Sequence, residues 1–287
     1  MDQFSDQELQ TLHQELKSIL EEVIRICQIL DIRFFVTGGT AIGAYYLQGF
    51  VKWDDDIDLG MTRKDYELFQ KEAPKLVSPG FFVQCFETEP RTPFFFIKVR
   101  KDNTLFIQEA VKDMNIHQGI FVDIFPFDHV PDNHLLAKIH QRIVQYLEGS
   151  FKRRQMKEAI LEGQRRLPKV ISEPLATIRY SFLKLIPRRF FHERLHRFSA
   201  LFNRFNCRYS NVIKDSVDLV ETSSIADLMP MKFEGLDVYG PRTMQAYLAH
   251  HYPDLKSPDM LESLWVTHRP FMLSFDTRSD HDTQSPS

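Results

Sequence analysis

Residues Thr37 to Met61 read TGGTAIGAYYLQGFVKWDDDIDLGM, and this stretch decides how the rest of the sequence is interpreted. It contains a glycine doublet, Gly38-Gly39, and four aspartates crowded into five positions at 54, 55, 56 and 58. Carboxylates this close repel one another, and a fold accommodates them when a bound cation neutralises their charge. The stretch therefore predicts a site for a metal ion and a phosphate.

The glycine doublet is predicted to lie between a strand and a helix. Residues 33–36 have the composition of a strand, and residues 41–47 suit a helix. The first backbone N–H groups of a helix have no intrahelical acceptor and can hold a phosphate. We therefore expect Gly38, Gly39 and Thr40 to bind the phosphate of a donor molecule.

The aspartates are predicted to enter a second strand. Alternation puts Ile57 and Leu59 on the core side and places Asp56 and Asp58 together on the other face, about 7 Å apart. Two carboxylates so placed can share hard divalent ions. A bare Asp-x-Asp is more often an acidic turn, but the glycine turn upstream makes the metal site the better interpretation.

The stretch from Gly39 to Phe69 resembles the signature of the LicD family. The resemblance extends to IHQGIFVDIFPFDHVPD at 116–132 and, more weakly, to FEGLDVYGP at 233–241 with AYLAHHYPD after it. Members of that family resemble nucleotidyltransferases in fold and transfer phosphocholine from CDP-choline to glycans, and fukutin-like phosphosugar transferases are similar to them. The resemblance implies an α+β fold whose nucleotidyltransferase-like core has a short mixed sheet and surrounding helices.

Asp123 is a carboxylate inside the otherwise apolar run Phe121–Phe125, so a metal or a proton donor is expected beside it. By resemblance it matches the third carboxylate of the nucleotidyltransferase triad. Asp56, Asp58 and Asp123 are then expected to be catalytic and to bind Mg²⁺ or Mn²⁺. Asp128 is predicted to lie in the following turn as a capping residue.

A strand over residues 94–100 would place Lys98 and Arg100 on one face. Two cations there are positioned to meet the phosphate oxygens of the donor. The equally weighted alternative is an edge strand that shows its lysine to water. A choline donor would also need aromatic faces for its quaternary ammonium, and Trp53, Tyr45 and Tyr46 are the candidates, with core packing as their alternative role.

Four segments are predicted: a catalytic core (1–145), a basic helical insertion (146–210), a part that closes the core (211–275) and a disordered tail (276–287). Residues 151–210 hold 15 Lys and Arg against 4 Asp and Glu. A capping box at Ser5-Asp6-Gln7-Glu8 begins a long amphipathic helix. A second helix is predicted from Arg63 to Ala73, ending before Pro74.

The insertion contains His192-Glu193-Arg194-Leu195-His196, which matches the H-E-x-x-H pattern of zinc hydrolases. Helical spacing would place both histidines on one face, with Glu193 as a base. A chance match is the better interpretation, because neighbouring arginines such as Arg189 would oppose a dication. A zinc hydrolase remains the second hypothesis.

The composition indicates where the protein acts. Its three cysteines lack C-x-x-C spacing, its first ten residues are polar, and no uncharged apolar run approaches the ~20 residues that span a bilayer. We therefore expect a cytoplasmic protein that does not bind nucleic acid. Residues Ile178 to Phe198 interleave apolar and basic side chains, which suits peripheral contact with an anionic membrane, or equally a solvated cationic face.

The family resemblance implies transfer of phosphocholine, or a related phospho-alcohol, from a CDP-activated donor to a hydroxyl of a cell-envelope glycan, with release of CMP. Teichoic acid and lipopolysaccharide are the acceptors expected, whether or not they are carried on a lipid. Where family members often have a basic triplet, this chain has Tyr46-Leu47-Gln48. A non-catalytic binding module on the same fold is therefore the third hypothesis.

Overall fold

A computed structural model describes residues 4–155, 177–178, 180–212, 219–253, 255 and 270–277. The helices are α1 (Asp6–Leu30), α2 (Gly38–Tyr46), α3 (Arg63–Leu76), α4 (His134–Gln155), α5 (Arg188–Ser199), α6 (Thr222–Ala226) and α7 (Met244–His251). The strands are β1 (Phe35–Val36), β2 (Asp58–Thr62), β3 (Phe81–Gln84), β4 (Ile97–Lys101), β5 (Leu105–Ile107), β6 (Phe121–Val130), β7 (Tyr209–Val212), β8 (Val220–Glu221), β9 (Leu228–Phe233), β10 (Leu236–Pro241) and β11 (Met272–Ser274). Helices packed around a mixed sheet agree with the predicted α+β class.

Helix α1 begins where the sequence predicts. Ser5 Oγ accepts a hydrogen bond from Glu8 N, and the Glu8 carboxylate accepts one from Ser5 N, which completes the capping box. One face of the helix enters the core, because its apolar residues recur at helical spacing. The buried residues are Leu12, Leu16, Ile19, Leu20, Val23, Ile26 and Cys27.

The ten-residue strand β6 lies in the middle of the main sheet, whose order is β1-β2-β6-β4-β3, with β7 and β8 added beside β6. It runs parallel to β2 and antiparallel to β4. The register sets Asp58 beside Asp123 and Asp123 beside Lys98, so three charged residues form a row across three strands. This row places the candidate site at one end of the sheet.

Two expectations about local structure are wrong. Helix α3 runs through Pro74 to Leu76; its last turn is held because Val77 N donates to Ala73 O and Arg25 donates to Leu76 O. Proline lacks only its own N–H, and so close to the end of a helix the loss is tolerated. Asp128 is not a turn residue, because β6 continues to Val130.

The hairpin β9–β10 packs against β1, with Phe233 and Val238 buried in the core. Helix α7 follows and reaches the start of α2. A second two-stranded sheet joins β11 to β5. The hairpin, α7 and β11 lie within residues 211–275, the part that the sequence predicts to close the core.

The described part of the basic segment is mainly helical, and its last two residues, Tyr209 and Ser210, belong to β7. Helix α4 is continuous through residues 145–146, so the predicted boundary falls inside a helix, and α4 packs against α5. Of the tail, only residues 276–277 are described; the rest of it and residues 156–176 lie outside the described residues. No helix in the described ranges combines the length and apolarity needed to cross a membrane.

Candidate functional site

The glycine doublet lies directly against the aspartates. Gly38 starts α2 with φ 58°, a left-handed conformation that favours glycine. A Cβ on Gly38 would lie 2.9 Å from Asp58 Oδ2, and one on Gly39 would lie 2.7 Å from Asp54 Oδ2. Because glycine has no Cβ, the start of α2 can lie close to these two carboxylates.

Thr40 and Thr37 tie this helix start to its surroundings. Asp58 N donates to Thr40 Oγ1 (2.9 Å), and Thr37 N donates to the Asp58 carbonyl oxygen (3.1 Å). The Thr37 and Tyr247 hydroxyls are 2.6 Å apart, and Gly38 N donates to the Tyr247 hydroxyl at 3.3 Å. The turn is therefore held from β2 on one side and from α7 on the other.

The acidic stretch forms a compact cluster just before β2. One carboxylate oxygen from each of Asp54, Asp55 and Asp56 lies within 4.8 Å of the others. Asp54 Oδ2 is buried and accepts no hydrogen bond from any residue that the structure describes. Burial, reinforced by the charges of Asp56 and Asp55, raises the pKa of the Asp54 carboxyl well above its ordinary value. The cluster thus supplies carboxylate oxygens, which are the ligands that a hard cation prefers.

Asp123 is paired with Lys98, which the sequence predicts to contact the phosphate oxygens of the donor. Both carboxylate oxygens of Asp123 accept hydrogen bonds from Lys98 Nζ, at 2.6 and 2.8 Å. The ammonium also lies 3.4 Å from the ring centroid of Phe121. Burial lowers the pKa of Lys98 to about 8 even though Asp123 opposes the shift. The proton donor expected beside Asp123 is therefore Lys98.

Strand β4 is interior, so the edge-strand alternative is wrong. Lys98 and Arg100 are each only 1% exposed. The Arg100 guanidinium donates to Gln84 Oε1 (2.7 Å) and to the Gly119 carbonyl oxygen (2.6 Å), and burial lowers its pKa to about 10. Arg100 is thus held within the protein, while Lys98 is the cation that reaches the aspartates.

The aromatic candidates occupy two different environments. Trp53 is 9% exposed and belongs to the hydrophobic core cluster. Tyr45 is 37% exposed, and its ring meets that of Tyr46 edge to face, with centroids 4.9 Å apart. Both tyrosines lie at the C-terminal end of α2, which is about 11 Å along the helix axis from Gly38.

Three residues that support the acidic cluster or the glycine turn were not predicted. His13 on α1 stacks on Phe50, with centroids 3.9 Å apart, and its Nε2–H donates to the Asp54 carbonyl oxygen. Glu234 accepts a hydrogen bond from Phe50 N (3.0 Å). Tyr247 lies in the segment AYLAHHYPD, whose family resemblance was the signal that could have found it.

In the H-E-x-x-H pattern on α5, His192 is buried and His196 is half-buried, and both lie in a cationic setting. Arg63 Nη1–H donates to His196 Nδ1 at 2.8 Å, and the rest of its guanidinium pairs with Asp128. Burial lowers the pKa of His192 to about 4 and that of His196 well below its ordinary value. Glu193 is exposed and pairs with Arg189. The positive charge of Arg63, which contacts His196, opposes the binding of a dication. The role of this cluster is instead to join α5 to the core.

A cavity of about 710 Å³ opens elsewhere, between α4, β7 and the C-terminal end of β6. Asp128 lines it, whereas Asp123 lies at the opposite end of β6. The cavity is therefore separate from the cluster of aspartates, and its volume does not identify it as the candidate active site.

Residues 31–158 match the LicD/FKTN/FKRP nucleotidyltransferase domain. Over 145 residues the chain is 42% identical to the lipopolysaccharide cholinephosphotransferase LicD of Haemophilus influenzae, a match that covers 44% of this chain and 48% of that protein. It is 28% identical over 105 residues to an uncharacterised protein of Rickettsia typhi, covering 37% of this chain and 31% of that one.

The matches thus span about half or less of the length of these relatives. The matched domain contains both the glycine turn and the row of charges formed by Asp58, Asp123 and Lys98. Residues 31–158 of this chain are therefore similar to the nucleotidyltransferase domain of the LicD family.

Proposed function

We propose that this protein transfers phosphocholine, or a related phospho-alcohol, from a CDP-activated donor to a hydroxyl of a cell-envelope glycan and releases CMP. The core would then be nucleotidyltransferase-like. The observation that carries the proposal is the in-register pairing of Asp58 with Asp123 beside the glycine turn. The similarity to the lipopolysaccharide cholinephosphotransferase of Haemophilus influenzae supports the choice of substrate class.

Asp56, Asp58 and Asp123 are the residues proposed to hold Mg²⁺ or Mn²⁺. The donor set fits a hard cation, because it consists of carboxylate oxygens, and the neighbouring Asp54 has a buried oxygen that accepts no hydrogen bond from the residues that the structure describes. Asp56 also belongs to the compact set with Asp54 and Asp55, so it links the two groups. When bound there, a divalent cation neutralises charge that develops on the transferred phosphoryl group and on the leaving phosphate.

The residues of the chain act on donor and acceptor in distinct ways. Backbone N–H groups of Gly38, Gly39 and Thr40 at the start of α2 hold donor phosphate oxygens. The Asp123 carboxylate, oriented by Lys98, positions the acceptor hydroxyl and takes up its proton. The acceptor oxygen forms a bond to the phosphocholine phosphorus while the bond from that phosphorus to the CMP oxygen breaks, so CMP leaves with the bonding electrons.

The donor alcohol is proposed to contact an aromatic face, because a quaternary ammonium cannot donate a hydrogen bond. Tyr45 and Tyr46 offer partly exposed rings, and Trp53 lies closer to the aspartates in sequence. Trp53→Ala and Tyr45→Ala are each expected to weaken CDP-choline binding more than CDP-glycerol binding. Equal weakening of both donors would show that these rings have only a packing role.

The test is CMP release from CDP-choline, CDP-glycerol and CDP-ribitol with Mg²⁺ and a glycan acceptor. Asp58→Asn preserves size and should lower CMP release about a hundredfold or more, whereas the exposed Asp113→Asn should leave it unchanged. Circular dichroism would check that both variants fold. Near-normal turnover by Asp58→Asn would overturn the assignment.

The same experiment separates the other hypotheses. A binding module would bind CDP-choline without releasing CMP. A zinc hydrolase would contain stoichiometric zinc that disappears in the double variant His192→Ala with His196→Ala. The contact between Arg63 and His196 argues against that outcome.

A further inference from the structure

Helix α4 carries an apolar stripe that faces away from the core. The side chains are between 38% and 67% exposed. Helical spacing places them within about a third of the helix circumference. The stripe consists of Leu135, Leu136, Ile139, Ile143 and Tyr146.

The stripe is not the surface by which α4 docks on the protein. Val144 and Phe151 on the other side of the helix are buried at 5% and 0% exposure, and they belong to the core cluster. An ordinary surface helix shows polar residues to water on its outer face. Helix α4 is therefore apolar on two sides, and the described part of the chain leaves the outer one uncovered.

A second exposed apolar group adjoins the end of this helix. Phe182 and Leu185 are 67% and 78% exposed. Arg154 near the end of α4 donates to the carbonyl oxygens of Lys184 and Ile186, both at 3.1 Å. The α4 stripe and Phe182 with Leu185 together form what we term the outer face.

Helix α4 brings more cations than carboxylates to the outer face. Helix α4 has five Lys and Arg residues against one carboxylate, Glu148, which is buried and pairs with Lys152 at 2.7 Å. Lys138 and Arg142 are exposed and precede Ile139 and Ile143 by one position each, so they lie along the edge of the stripe.

We propose that the outer face docks on an anionic lipid membrane, with its apolar side chains in the interface and Lys138 and Arg142 against lipid phosphates. A helix that lies in a membrane interface has this combination of an apolar centre and a basic edge. Each Lys or Arg near such a surface adds to the attraction. The protein would thus bind the membrane peripherally.

A second copy of the chain fits the outer face less well. A symmetric dimer places the same patch on both subunits, so the cations at the edge would meet one another. Glu148, as a buried and paired residue, could not compensate them. Charge complementarity therefore favours a lipid surface.

This docking surface overlaps the one that the sequence predicted in Ile178 to Phe198, because Phe182 and Leu185 belong to both. In α5, Phe191 and Leu195 are buried in the core, whereas Phe190 is 43% exposed. Helix α4 supplies most of the apolar side chains of the outer face. The inference does not depend on the proposed transferase activity, because it can be tested by binding alone.

The test is co-sedimentation of the full chain with vesicles of phosphatidylglycerol and phosphatidylcholine, and with vesicles of phosphatidylcholine alone. Binding is expected only to the anionic vesicles and should weaken with salt. Lys138→Glu with Arg142→Glu should weaken it about tenfold or more, while Lys64→Glu with Lys71→Glu on α3 should not.

The apolar part of the face is tested separately. Ile139→Asn with Ile143→Asn should also reduce binding, whereas Ile29→Asn, which changes an exposed isoleucine on α1, should not. Unchanged circular dichroism would show that each variant folds. The proposal is overturned if the wild-type protein does not sediment at low salt, or if the α4 variants and their controls bind equally. It is also overturned if the α4 variants only convert a dimer to a monomer in sedimentation velocity.

Discussion

Breaking the Lys98–Asp123 pair should destabilise the protein strongly, because replacing only the lysine leaves a buried carboxylate without its partner. Both side chains are buried, at 2% and 9% exposure, and the ammonium donates to both carboxylate oxygens. Lys98→Met keeps an apolar stem but leaves the Asp123 charge uncompensated in the sheet. Removing one partner of a buried pair costs about 3–5 kcal/mol, so we expect that loss in the free energy of unfolding.

The measurement is urea unfolding, followed in EDTA because a bound cation would offset the charge of Asp123. Lys101→Met on the same strand is the matched control, since Lys101 pairs with Glu15 in a part-exposed position. That pair should be worth about 1 kcal/mol or less. The double variant Lys98→Met with Asp123→Leu should recover about 2 kcal/mol or more relative to Lys98→Met, because no buried charge remains. A Lys98→Met loss no larger than that of Lys101→Met would refute this reasoning.

Three further predictions concern Gly38, Tyr247 and His192. Gly38→Ala and Gly80→Ala both force alanine to a positive φ, so each should lower the free energy of unfolding by about 1–2 kcal/mol. Only Gly38→Ala should lower CMP release, because open space surrounds Gly80. Tyr247→Phe should destabilise the protein by about 1–3 kcal/mol in thermal unfolding, and the exposed Tyr146→Phe should not; equal effects would contradict the role of the Tyr247 hydroxyl. Folding lowers the pKa of His192 to about 4, so as the pH is lowered the unfolded chain binds the proton before the folded protein does. The free energy of unfolding should therefore fall as the pH is lowered from about 6.5 towards 4. His192→Phe should flatten that slope in urea unfolding at several pH values, and an unchanged slope would exclude His192 as its cause.

Local sequence determined the elements whose signals lie within a few residues. The capping box at Ser5 fixed the start of α1, because both of its hydrogen bonds form within one turn. Alternation placed Ile57 and Leu59 in the core, because successive side chains of an extended chain point in opposite directions. The glycine doublet marked the start of α2, because the positive φ of Gly38 favours a residue without a Cβ.

Only the tertiary structure decided which distant residues meet. The pairing of Lys98 with Asp123 depends on the register between β4 and β6, and the contact of Tyr247 with Thr37 joins positions 210 residues apart. Lys98 is buried because β4 lies inside the sheet, a position that the local sequence did not distinguish from a solvent-exposed edge. Strand order and long-range hydrogen bonds are set by the packing of the whole chain, and no local periodicity encodes them.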